Sequence, residues 1–279
     1  MNKKYEAFLN ILLYLLVFIL GQTIATFIIM IVFFINNIDI LMSFTDIAFY
    51  QDEIYSFISQ YSPVVYIIFF IISFLGYLMV FKAKKRNMIK EVNFIKIRFY
   101  KIIVLIFVGV AANIVVDFLL NCVVYFFNLE NTFLEYSFFI EKILSSNNVV
   151  LLLLSTGILA PVLEEIVFRG FIFNELKKNF SVTKAIFIQA FLFGLVHLNL
   201  IQGSYAFLLG LFFAYVYLWT GSIWATVILH ISINSYTVLV TKFPQLSTGS
   251  LPQLVLSVFV LILGTLIIYK TRTKTQTFF

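Results

Sequence analysis

Long uncharged, mostly apolar runs broken by short polar or charged segments set the pattern of this chain. The runs fall near residues 8–35, 63–81, 102–127, 149–173, 185–200, 205–220, 223–241 and 252–269. A helix needs about 20 apolar residues to cross a hydrocarbon core about 30 Å thick. Lipid offers backbone polar groups no partner, so only helices or closed barrels span it. The pattern predicts an all-α fold, a polytopic membrane helix bundle of about eight transmembrane helices. Within 185–241 the divisions rest on the breaks "NLIQGS" and "TGS" alone, and seven spans satisfy the pattern as well. The first run follows "MNKKYE", but its uncharged length from Phe8 to Ile35 exceeds the roughly 7–15 residues of a signal-peptide core. It reads as a retained anchor.

Composition agrees with this: of 279 residues, 62% are hydrophobic and 11% charged, and the mean hydropathy is +1.04. No polar stretch is long enough for a soluble domain. The net charge of +6 sits beside the hydrophobic runs, which is an orientation signal rather than a nucleic-acid footprint. With eight spans, Lys3, Lys4, the basic patch Lys82 to Lys101, Lys177, Lys178, Lys184, Lys270, Arg272 and Lys274 share one side. The other side holds Lys142 and Lys242 among the acids Asp39, Asp46, Asp52, Glu53, Glu130, Glu135 and Glu141. The positive-inside rule then predicts a multi-pass protein of the cell membrane with both termini cytoplasmic. The basic patch needs only anionic headgroups of the lipid bilayer as its partner; no nucleic-acid partner is expected. Cys122 is alone, so the chain forms no internal disulfide and no cysteine metal cluster.

Against this apolar background, charged groups at membrane depth are informative, because each costs at least about 2.5–3.5 kcal/mol and normally faces a bundle interior or a wet cavity. "APVLEEIVFRG" places Glu165 and Arg169 at i and i+4, able to pair on one face, and turns Glu164 about 100° away. Pro161 is expected to kink the helix just before them and to free carbonyls. His197 closes "FLFGLVH" one turn after Phe193. His230 and Asn234 in "HISIN" project side by side from one helix. Counting about 1.5 Å per residue from the inner helix ends, Glu164 lies roughly 15 Å deep, His197 roughly 18 Å and His230 roughly 10 Å. Taken singly, an intramembrane histidine is an interhelical hydrogen-bonding group and a Glu–Arg pair a packing device. Together they share one slab of the membrane.

A carboxylate beside an imidazole in a low-dielectric cavity can hold and deprotonate a water. Side-chain donors one turn apart can meet the oxyanion formed when that water attacks an amide. Glu164 with His197 fits the first task, His230 with Asn234 the second. Glu164, His197 and His230 also count as a possible zinc set with an open fourth position, and the residues do not choose between the two. Asn113, Asp117 and Asn121, at i, i+4 and i+8 of the third span, form a polar stripe that reads either as interhelical hydrogen bonding or as a wall beside the site.

"EEIVFR", "FGLVH" and "HISIN" resemble the motifs EExxxR, FxxxH and HxxxN of the CPBP intramembrane proteases. This is the family of CAAX proteases and bacteriocin-processing proteins, also called Abi, which includes the type II CAAX prenyl endopeptidase. The resemblance covers about residues 145 to 245. It implies a membrane-embedded endopeptidase acting on a peptide or membrane-protein substrate. Glu164 would be its water-activating base, His197 the partner of that base, and His230 with Asn234 the oxyanion site. Glu165, Arg169 and Phe193 would be supporting residues. The family is often labelled metalloprotease, and a metal-free glutamate mechanism is also argued, so the cofactor is either none or a divalent metal such as zinc. On this basis residues 141–245 are expected to be the catalytic core. Residues 1–140 form an N-terminal transmembrane region without a matched motif, and 246–279 the last span and a basic tail. Peptide maturation or bacteriocin self-immunity are the bacterial roles implied. A non-catalytic immunity or scaffold protein, and a proton-coupled transporter using the same groups as a relay, are the competing readings.

Overall fold

The computed structural model describes residues 3–38 and 50–273, and, for Gln51 and Asp52, the backbone alone. Asp39, Asp46, the Asp52 side chain and Lys274, used above for orientation, lie outside the described residues. Among those described, helices carry almost all of the chain and no strand occurs. In chain order they are α1 (Lys3–Asn36), α2 (Gln51–Gln60), α3 (Ser62–Ala83), α4 (Met88–Val92), α5 (Phe99–Phe127), α6 (Glu130–Ile143), α7 (Val149–Lys177), α8 (Val182–Leu195), α9 (Leu200–Thr220), α10 (Ile223–Lys242) and α11 (Leu251–Lys270).

Seven of these, α1, α3, α5, α7, α9, α10 and α11, are long and apolar enough to cross a membrane. The helix in the run expected to span at 185–200 is not among them. Helix α8 has 14 residues, about 21 Å of rise against a hydrocarbon core of about 30 Å. The cause is local: Leu198 takes a left-handed φ of 52°, and the Asn199 side chain accepts the Gln202 N–H at 3.0 Å, which caps and starts α9. The segments expected as plain connections hold three further helices, α2, α4 and α6.

Packing follows the small residues. A Cβ on Gly194 of α8 would lie 2.6 Å from the Gly203 carbonyl oxygen of α9, so the hairpin of these two helices closes only because both positions are glycine. Helices α7 and α10 form the centre: half of the apolar stretch of each is buried, against 22% for α1 and α3. An aromatic seam of Tyr14, Tyr77, Phe81 and Phe171 joins α1, α3 and α7, with Tyr77 donating its hydroxyl proton to the Tyr14 carbonyl at 2.9 Å.

Basic segments far apart in sequence meet at one end of the bundle. Lys84 donates to Asn10, Lys101 to the Thr271 carbonyl at 2.7 Å, and the Thr273 N–H to the Trp219 carbonyl at 3.0 Å. Arg86 reaches Glu175 at 2.9 Å and Glu91 at 3.0 Å, and Lys178 reaches Glu91 at 2.9 Å. Partial burial pushes the Glu91 carboxyl up, but hydrogen bonds from Lys178 and Arg86 outweigh it and hold the group below the ordinary carboxylate range. Burial opposes the Arg86 charge, and Tyr14, Glu175 and Glu91 more than restore it.

Candidate active site

The site begins with the backbone of α7. Its central turns, Ala160–Glu165, are regular α-helix, flanked by wider π-helical stretches at Leu153–Leu159 and Ile166–Phe173. Such widened turns are common at functional positions. In the first stretch the Ala160 N–H bonds the Ser155 carbonyl; the next bond of that series would come from Pro161, which has no N–H. The carbonyls of Thr156 and Gly157 are thereby freed. Helix α10 takes both: Asn234 Nδ2 donates to Thr156 at 3.3 Å and Ser235 Oγ to Gly157 at 3.4 Å. Pro161 thus frees carbonyls as its position predicts, and side chains of a neighbouring helix satisfy them. The close approach depends on Gly157, where a Cβ would stand 2.9 Å from Ser235 Oγ.

The two adjacent glutamates then part company. Glu165 is fully buried and receives Arg169 Nη1 at 2.8 Å, the i, i+4 pair that spacing predicts. The same oxygen also receives His230 Nδ1 at 2.9 Å, a partner from α10 that the sequence did not point to. The Arg169 guanidinium lies over Phe193 and Phe213, 4.4 and 5.0 Å from their ring centres, and one of its amino groups reaches the Gly210 carbonyl at 3.4 Å. Aromatic faces supply the rest of its shell. Phe193 also sets its edge against His197 and His230, so this residue supports the arginine and both histidines at once.

Glu164 turns instead toward a cavity of about 400 Å3, which it lines together with His197, His230 and Asn234. Its Oε2 is 3.7 Å from His230 Nε2. Nδ1 of His197 lies 2.7 Å from the Phe193 carbonyl; a carbonyl only accepts, so Nδ1 carries a proton and Nε2 is left as an acceptor. No hydrogen bond or ion pair joins His197 to either carboxylate. The four residues therefore come from three helices, α7, α8 with its trailing turn, and α10, to one cavity. Tyr66, Tyr136, Gln202 and Tyr205 line it too, and the Tyr136 and Tyr205 hydroxyls are bonded at 2.9 Å. None of these four was singled out by motif. The available signal was weak: Tyr66, Gln202 and Tyr205 are polar-tipped residues within otherwise apolar helices, and Tyr136 lies on the mixed helix α6.

The polar stripe of α5 splits. Asn113 donates to Thr237 Oγ1 at 2.7 Å, an interhelical bond, and also lines the cavity, as does Asp117. Asn121 does not line it, and bonds only the Asp117 backbone carbonyl at 2.8 Å.

Among the described residues no three His, Cys, Asp or Glu side chains are grouped so as to hold an ion, and no hydrogen bond or ion pair links His197 to the Glu164–His230 pair. Zinc ligands in hydrolytic sites converge at about 2.0–2.2 Å from one centre.

Comparison with known proteins adds a family likeness. Residues 146–236 match the family described as Type II CAAX prenyl endopeptidase Rce1-like. A protein of Bacillus subtilis (strain 168) named "Putative membrane peptidase YdiL" is 32% identical over 96 residues. That match covers 34% of this chain and 39% of the relative, so it spans about two fifths of the relative's length. No solved structure matches. Every motif residue from Glu164 to Asn234 lies inside the matched segment, and over residues 146–236 the chain is similar to the Rce1-like type II CAAX prenyl endopeptidases.

Proposed function

We propose that the chain is a membrane-embedded endopeptidase that cuts a peptide bond of a membrane-associated substrate with water activated by Glu164. The observation that carries this is the shared cavity: Glu164, His197, His230 and Asn234, from three helices, all line it. The family likeness over the same residues supports it.

The chain's own groups suffice for each step. A water in the cavity donates one proton to Glu164 and the other to the acceptor Nε2 of His197, which turns a lone pair toward the substrate carbonyl. Attack forms the carbon–oxygen bond and passes the first proton to Glu164. The oxyanion is met by the second N–H of the Asn234 amide, whose first is held by the Thr156 carbonyl, and by His230. The Glu165 carboxylate, which only accepts, lies 2.9 Å from Nδ1 and so accepts the N–H there; to donate from Nε2 as well, His230 acts as the doubly protonated ring. Glu164 then returns its proton to the amine as the carbon–nitrogen bond breaks. The basic end of the bundle faces the cytoplasm in this reading, as the lysine and arginine distribution implies.

Purified wild-type protein and Glu164→Ala, incubated with a membrane-peptide library and followed by mass spectrometry, test the proposal. Wild type should cleave and continue to do so in a chelator, while the variant should lose at least about 100-fold in rate. Equal cleavage by both proteins would overturn the assignment of Glu164. An uncut library in the wild type would favour a non-catalytic immunity or scaffold role.

A further inference from the structure

The cavity has a carboxyl group that the reaction above leaves idle. Asp117 lines it, yet among the described residues its carboxylate takes part in no hydrogen bond or ion pair. Asn121 bonds its backbone, not its side chain. No lysine or arginine lines the cavity. Lys142, on the neighbouring helix α6, lies over the rings of Tyr55 and Phe138 instead. An acidic group within a membrane span is costly unless something compensates it. Two tyrosines that also line the cavity, Tyr136 and Tyr236, are close enough to feel the Asp117 charge. A carboxylate flanked by phenol rings is a receptor for an organic cation.

We infer that Asp117 forms a cation-selecting subsite, which favours peptides carrying a lysine or arginine side chain near the bond to be cut. This rests on the reading of the cavity as a peptide site. The helices give the distance. Asn113 is tied to Thr237, three residues beyond Asn234 on α10, and Asp117 is four residues beyond Asn113 on α5. Seven residues of helix rise put Asp117 about 10 Å from the level of Asn234. An extended peptide advances about 3.3 Å per residue, so the cation belongs about three residues from the scissile bond.

Binding rather than cleavage tests this, so that its failure differs from failure of the catalytic reading. Glu164→Gln protein in detergent is titrated with fluorescent membrane peptides identical except for lysine, norleucine or glutamate at one scanned position. With Asp117 present, the lysine peptide should bind about tenfold more tightly than the norleucine peptide, a modest value for a partly desolvated ion pair. The preference should disappear in Asp117→Asn, and Asp117→Lys should prefer glutamate. Circular dichroism and the thermal midpoint of Asp117→Asn check that the fold is kept. No preference for lysine with Asp117 present, a preference that survives Asp117→Asn, or no binding of any peptide would each overturn the subsite. Loss of cleavage in Glu164→Gln with the lysine preference retained would support both readings, and unaltered cleavage with the preference retained would sink the catalytic one alone.

Discussion

Nδ1 of His230 lies 2.9 Å from Oε1 of Glu165. The oxygen is the one that Arg169 also holds, so a single carboxylate oxygen couples α7 to α10 and decides which imidazole nitrogen faces the cavity. Two adjacent residues of one type, Glu164 and Glu165, are thereby set to different work by a rotation of about 100°.

Stability should separate them. Glu165→Ala leaves Arg169 buried without its counter-charge, and breaking such a pair costs about 3–5 kcal/mol. Thermal unfolding in detergent should show a large fall for Glu165→Ala and a much smaller one for Glu164→Ala, whose side chain is 15% exposed to the cavity. Equal falls would mean that both carboxylates serve packing.

Arg169→Lys keeps the charge but loses the planar group that lies over Phe193 and Phe213. A cost of about 1–3 kcal/mol is expected from the lost charged hydrogen bonds alone. Because Phe193 also touches His197 and His230, cleavage should fall as well, and an unfolding midpoint matching wild type would contradict the role given to these rings.

Gly194→Ala tests the α8–α9 hairpin. The added Cβ meets a backbone carbonyl at 2.6 Å, which cannot swing aside as a side chain can, so overpacking of about 1–3 kcal/mol is expected. His197 follows Gly194 by one turn, and its ring should move with the displaced helix end. Solvent quenching of a probe at residue 198 would report the shift.

Glu91 carries a pH signature. Its folded carboxyl sits below the ordinary value of 4.5, so the native state binds fewer protons than the unfolded chain near that pH. Its contribution to stability is present above that value and is lost as pH falls through the lower, folded one. Between neutral pH and about 3 the unfolding midpoint of wild type should fall more steeply than that of Glu91→Gln. Parallel curves would show that the contacts with Arg86 and Lys178 add nothing.

Much of the site was legible because membrane depth makes polar residues conspicuous. Glu164, His197, His230 and Asn234 stood out against apolar neighbours, and the Glu165–Arg169 pair followed from helical spacing. The contact between His230 and Glu165 was not legible, since it depends on how α10 lies against α7, 65 residues away in sequence. Spacing on α7 alone could only assign Glu165 its nearest cation. The widened turns either side of Glu164 were hidden for another reason: hydrophobic periodicity cannot distinguish them from ordinary helix in a segment that is apolar on all faces. The run at 185–200 was counted as a span on length, whereas Leu198 and Asn199 end and restart the helix inside it.

That short helix has a consequence beyond the bundle. Helix α8, at 14 residues, rises about 9 Å less than a hydrocarbon core is thick, and Leu198 and Leu200 just after it are exposed over 91% and 81% of their surface. Irregular backbone at membrane depth is tolerated only beside protein or water, so in a bilayer the His197 turn calls for water from the cavity it lines or for locally thinned lipid around it. Acyl-chain length then becomes a control on the protein. Reconstitution in lipids with longer tails raises the cost of that mismatch and should draw the His197 turn away from the geometry described, while shorter tails should favour it.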